Sequence, residues 1–154
     1  MLLETIILER LLLALFLGGV IGYEREHAHK FAGLRTHILV CVGSALIAMV
    51  SIYGFTQFGG NSGDIASRII ANVIVGIGFI GGGTILRHES TIIGTTTAAS
   101  LWVVAGVGIA VGIGFAYAAV ATTLIAYIVL ALLWRIERNI SGSNHQGEKF
   151  NAKH

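Results

Sequence analysis

The chain has 154 residues, the length of one ordinary domain, yet 55% of them are hydrophobic, only 12% are charged, 21 are glycine and none is proline. With a mean hydropathy of +0.81, it cannot cover its own surface with polar groups, which excludes an ordinary soluble domain and makes lipid its solvent. A formal charge of only +2 excludes an electrostatic nucleic-acid binder, and a single cysteine, Cys41, excludes a disulfide framework within one chain.

Taken in order, the first apolar segment runs from about Thr5 to Tyr23. Glu4 and Glu9 precede its core, and it lacks the basic region and small-residue cleavage site of a signal peptide, so it reads as a retained first helix. Gly18-x-x-x-Gly22 gives it a close-packing stripe. A polar loop from Glu24 to Lys30, closed by Gly33, leads to a second segment over about Arg35 to Phe55. A loop rich in glycine and polar residues, Thr56 to Asp64, leads to a third, Ile65 to Leu86, and Arg87, His88, Glu89 and Ser90 form the next turn. From Ile92 to Trp134 there is no charge, and as one helix that stretch would reach about 65 Å. It must fold back. The glycines at 106, 108, 112 and 114 mark the expected reversal, giving a fourth segment near Gly94 to Val107 and a fifth near Val111 to Trp134. The expectation is an all-α integral membrane bundle of five helices over residues 1–138, with a polar, disordered tail over 139–154.

Five crossings put the termini on opposite sides. Arg25, Lys30, Arg35, Arg87, Arg135 and Arg138 then share one side with Lys149 and Lys153, while Arg10 and Arg68 fall on the other. The positive-inside rule places the N-terminus outside and the C-terminus in the cytoplasm.

The longest glycine-rich stretch is Gly76 to Gly83. Gly76, Gly78, Gly81, Gly82 and Gly83 would let another backbone approach closely, and Gly78-x-x-x-Gly82 has the spacing of packed membrane helices. The same letters match a dinucleotide fingerprint, but the preceding strand and an acid about 20 residues later are missing. On the third segment Arg68, Asn72, Gly76 and Gly83 share one face, and Asp64 lies one turn before Arg68. That face reads either as a polar pathway or ion site, or as an ion pair anchoring the helix at the interface. A second set gathers at the cytoplasmic ends: Glu24, Arg25, Arg35, Thr36, Arg87, Thr95, Thr96 and Thr97. Carboxylates and hydroxyls there could hold a hydrated Mg²⁺, with Glu24 as its acid and Asp64 as a candidate ligand at the outer face. The alternative is plain loop anchoring and helix capping. His27, His29 and His88 lack the spacing of a transition-metal site, and Ser44 and Ser100 read as small packing residues or as hydroxyls back-bonding to their own helix. No nucleophile–base arrangement is visible, so an enzyme is not expected.

Glu24-Arg25-Glu26, Ala32-Gly33-Leu34-Arg35-Thr36, Gly76-Ile77-Gly78-Phe79-Ile80-Gly81-Gly82-Gly83 and Thr97-Ala98-Ala99-Ser100-Leu101-Trp102 resemble, in that order, the motifs of the MgtC/SapB family. The resemblance covers about Leu12 to Ile128. It implies a bacterial inner-membrane protein linked to Mg²⁺ homeostasis; in pathogens, members aid growth at low Mg²⁺ and survival in macrophages, and one branch restrains the F-type ATP synthase. Many members carry a C-terminal domain of the ACT type, where this sequence has a short polar tail, so regulation through that domain is not expected. Gly94-Thr95-Thr96 stands where the family commonly has Gly-Leu-Thr or Gly-Leu-Asn, and Asn at the Thr96 position occurs in the ATP-synthase-restraining type. That activity is not expected either. The expected protein is a non-enzymatic, Mg²⁺-responsive membrane regulator, a homo-oligomer with a dimer favoured, acting on a membrane protein partner. A transporter or channel with a path lined by Asp64, Arg68 and Asn72 is the alternative.

Overall fold

A computed structural model describes residues 2–54, 62–88 and 91–151. Helix α1 spans Leu2–His27, α2 Leu34–Met49, α3 Ser62–Gly82, α4 Thr95–Ile113 and α5 Ala116–Asn151. A π-helical turn, Val50–Gly54, prolongs α2, and a short antiparallel hairpin of β1, Leu86–His88, and β2, Thr91–Ile93, precedes α4. Among the described residues five helices are long and apolar enough to cross a membrane, at Leu3–His27, Leu34–Gly54, Gly63–Gly82, Thr95–Ile113 and Ala116–Leu133. The fold is an all-α membrane bundle. Most of the expected loop from Thr56 to Asp64, and Glu89 and Ser90 of the expected turn, lie outside the described residues.

The core is built where glycines remove side chains between helices. Helix α2 lies between α1 and α4. A Cβ on Gly18 would stand 2.7 Å from the Cys41 Cβ, and one on Gly22 would stand 2.9 Å from the Leu34 Cα. From the other side, a Cβ on Gly108 would run into the Cys41 carbonyl, and one on Gly112 would stand 2.5 Å from the Ala45 carbonyl oxygen. Each mid-helix glycine costs about 0.5–1 kcal/mol relative to alanine, and the dispersion contacts of backbones this close offset that cost. Rising numbers on α1 meet falling numbers on α2, so these helices are antiparallel; α2 and α4 run parallel. Ala14, Leu17, Ile21, Cys41, Ala45, Val104, Val107, Val111 and Ala119 fill the space between. More than half of the α4 span (56%) is buried, against 11% for α3 and for α5, so α4 is the central helix and α3 a peripheral one.

The reversal expected at the glycines from 106 to 114 occurs only at the last of them. Gly114 sits at φ +96°, a left-handed conformation that glycine adopts without strain, and ends α4. Gly106, Gly108 and Gly112 are helical, and 108 and 112 serve packing. The third helix stops earlier than expected, at Gly82 rather than near Leu86, and the chain enters a strand at Leu86. Thr84 Oγ1 donates to the Gly81 carbonyl at 2.7 Å, tightening the helix end, and Leu86 pairs with Ile93 across the hairpin. β-Branched Thr91, Ile92 and Ile93 suit that extended geometry. The backbone of α5 is helical from Ala116 to Asn151.

Arg10 closes the far end of the core. Its Nη1 donates to the Gly112 carbonyl at 2.6 Å and to the Tyr53 hydroxyl at 3.0 Å, which places a cation at the carbonyl end of α4.

Candidate functional site

At the other end the first turns of α2 and α4 meet the last turn of α1. Here buried polar groups concentrate. Arg25 is only 1% exposed, and its Nε donates to the carboxylate of Glu24, itself 8% exposed. Burying an ion pair costs desolvation, repaid only by close geometry and further hydrogen bonds. Glu26 works differently: its Oε2 accepts from the Leu34 N–H at 3.0 Å, filling one of the vacant donors at the start of α2. A Cβ on Gly33 would collide with that carboxylate, so the glycine leaves room for the cap.

His37, fully buried on α2, ties α2 to α4. Its Nδ1–H donates to the Gly33 carbonyl at 2.9 Å, and its Nε2 lies 3.0 Å from Ser100 Oγ. Ser100 Oγ is also 2.8 Å from the Thr97 carbonyl, a second acceptor for its one hydrogen. With Nδ1–H committed to Gly33, a neutral imidazole must accept from Ser100 at Nε2; only a doubly protonated ring leaves the hydroxyl hydrogen free for Thr97. Among the described residues every buried side-chain nitrogen and oxygen has a hydrogen-bond partner.

Beside this cluster opens a cavity of about 490 Å³. Arg25 lines it from the last turn of α1, His29 and Lys30 from the α1–α2 connection, and Thr95, Thr96 and Thr97 from the start of α4. His29 is held in the left-handed region, φ 53°, with Nδ1–H donating to the His27 carbonyl at 3.0 Å. Gly94, at φ +91°, precedes α4 and brings no side chain to cap its first turn. The cavity therefore sets Arg25, Lys30 and the positive end of the α4 dipole beside the apolar Phe31, Ile93, Val129, Leu130 and Leu133.

Of the residues singled out in the sequence, Glu24, Arg25, Thr96 and Thr97 do converge at this end. Arg35 and Thr36 sit nearby in the first turn of α2, and Arg87 is exposed on β1. Asp64, Arg68 and Asn72 are exposed along α3, whose C-terminal Gly81 packs on Ala98 near the start of α4, so the α3 N-terminus lies at the opposite end. Asn72 and Gly76 line a groove of about 840 Å³ between α3 and α2, with Gly43 and Ser44 opposite; Asp64 and Arg68 stand outside it. Gly81 packs on α4, and a Cβ on Gly83 would meet only the carbonyls of its own helix, the Ile80 oxygen at 3.3 Å. Among the described residues a Cβ on Gly76, Gly78 or Gly82 would meet nothing within 4 Å, so the Gly78-x-x-x-Gly82 stripe makes no close contact with them.

A resident Mg²⁺ does not fit these residues. Glu24 is engaged by Arg25, Asp64 is at the far end, and among the described residues no group of three or more His, Cys, Asp and Glu side chains is placed to hold a metal. The chemistry of the cavity favours anions. Sequence reasoning passed over His37, although a titratable side chain inside an apolar run was a signal. It also took Gly108 and Gly112 for turn residues, although they carry the same four-residue spacing as Gly18 and Gly22.

The MgtC family model matches residues 11–139. The chain belongs to the MgtC family. Its relatives in that family include "Putative magnesium transporter YhiD" of Escherichia coli K12, 44% identical over 133 residues, which cover 82% of this chain and 62% of YhiD. A protein of Haemophilus influenzae is 38% identical over 153 residues, covering 96% of this chain and 64% of that one. Protein MgtC of Salmonella typhimurium is 38% identical over 131 residues, covering 85% and 54% respectively. The chain thus spans between 54% and 64% of the length of these MgtC-family relatives. No solved structure matches. With five spanning helices and this family, the chain is a multi-pass bacterial membrane protein.

Proposed function

We propose that this chain is a non-enzymatic regulator in Mg²⁺ homeostasis, seated in the bacterial inner membrane with its basic end in the cytoplasm. The magnesium link rests on membership of the MgtC family and on one relative's magnesium-transporter name. The observation that favours a regulator over a conduit is the closed core. Helices α1, α2 and α4 meet through Gly18, Gly22, Gly108 and Gly112, with apolar side chains filling the rest, which leaves no room for a hydrated ion between them. The buried polar groups instead collect at one end, around Glu24, Arg25 and His37, and set the shape and charge of the end that a partner protein in or at the membrane would meet. The basic loops favour that end as cytoplasmic.

The conduit reading has one observation of its own. The groove holding Asn72, Gly76 and Ser44 lies open between α2 and α3, and a second copy docked over it would enclose it. The two readings separate by experiment. Purified protein in liposomes is expected to pass no more Mg²⁺ than empty liposomes. In a strain relying on this chain for growth at limiting Mg²⁺, Asn72→Leu is expected to grow like wild type, and Glu24→Gln poorly at equal membrane abundance. Mg²⁺ flux that Asn72→Leu abolishes would replace the regulator with a transporter.

A further inference from the structure

The cationic cavity does not end at its polar rim. A second cavity, about 320 Å³, runs from it along the membrane-embedded faces of α4 and α5 and shares Thr96, Val129 and Leu130 with the first. Its walls are Ile21, Ala99, Val103, Ile125 and Ala126, with the hydroxyls of Ser100 and Thr122 the polar exceptions. From Thr96 to Val103 on α4 is about 10 Å of helix rise. Together the two spaces form a site with a positively charged mouth and an apolar trough leading into the bilayer.

We propose that this composite site binds an anionic phospholipid, its phosphate among Lys30, Arg25, His29 and the first-turn amides of α4, and an acyl chain in the trough. The inference is independent of the Mg²⁺ reading. Three features carry it. Arg25 is almost fully buried, so one charge of the mouth belongs to the fold and is not a mobile surface residue. Glu24 offsets part of that charge through Nε, and Lys30 and the first turn of α4, which has no side-chain cap, add to it. Phe31, Ile93, Val129, Leu130 and Leu133 share the same mouth, which suits the boundary between headgroup and chain and not a fully hydrated ion. A soluble phosphate would use the mouth and leave the trough without a role.

The test is a lipid titration of the purified full chain in mild detergent, read by native mass spectrometry, with phosphatidylglycerol, phosphatidylethanolamine and inorganic phosphate as separate probes. Phosphatidylglycerol is expected to bind at least about fivefold tighter than phosphatidylethanolamine, and Lys30→Ala to weaken it about fivefold, the usual worth of one interfacial cation. Ala99→Phe, which fills the trough from an exposed position, is expected to weaken phosphatidylglycerol binding by a similar factor without lowering thermal stability. Equal affinity for the two lipids in the wild-type chain would overturn the proposal. So would inorganic phosphate that displaces phosphatidylglycerol while Ala99→Phe leaves lipid affinity unchanged, an outcome that assigns the mouth to a soluble anion.

Discussion

Replacing Gly112 by alanine adds one methyl group to the centre of the molecule. That carbon would stand 2.5 Å from the Ala45 carbonyl oxygen and 2.7 Å from the Ala48 Cβ, both on α2. Neither neighbour can swing away, because one is backbone and the other is the first atom of its side chain. Helices α2 and α4 must therefore part by roughly an ångström, a gap that forfeits about a quarter to a half of each dispersion contact along the seam. Overpacking of this kind costs about 1–3 kcal/mol. Gly106 supplies the internal control, since it lies on the same helix and a Cβ there meets nothing within 4 Å. Both substitutions gain about 0.5–1 kcal/mol from losing a helical glycine. That gain cancels in the comparison, so the difference isolates the contact. Thermal unfolding in detergent is expected to place Gly112→Ala below wild type and Gly106→Ala at or above it. Equal midpoints for the two variants would show that α2 and α4 are not held at this distance, and the closed-core argument for a regulator would go with it.

Ser100→Ala removes the partner of His37 Nε2 in a buried site and is expected to cost about 1–3 kcal/mol; a double-mutant cycle with His37→Leu should return a coupling of at least about 0.5 kcal/mol. Arg10→Met withdraws a charged donor from the Gly112 carbonyl and the Tyr53 hydroxyl, and should lower stability by about 1–3 kcal/mol, with Arg10→Lys restoring part of it. For orientation, Ser62→Cys and Ser143→Cys, each in a Cys41→Ser background, are expected to differ in intact cells. An impermeant thiol reagent should label the first and not the second, and the opposite pattern would invert the proposed topology.

Much of the fold is legible in the sequence, because hydropathy over a helix length is a local quantity and lipid is an unforgiving solvent for anything but a helix. The charges after Tyr23, at Arg87 and after Trp134, together with the glycine-rich break between Phe55 and Asp64, mark the spans without any partner being known. Gly18 and Gly22 announce close packing by their spacing, and they do pack closely. The convergence of Glu24, Arg25, Thr96 and Thr97 follows from fold-back connectivity alone.

What only the tertiary structure decides is which neighbour each residue meets. Gly78 and Gly108 carry the same local signal, yet one faces open space and the other faces the Cys41 carbonyl, because α3 lies at the edge of the bundle and α4 at its centre. Glu24 looks like a metal ligand until Arg25 is seen to occupy it, and His37 looks like an isolated polar residue until Ser100, 63 positions later, is found against its ring. Charge pairing and cavity shape depend on distances between helices remote in sequence. Those distances bring Arg25, Lys30 and the start of α4, far apart in sequence, to the lining of one pocket.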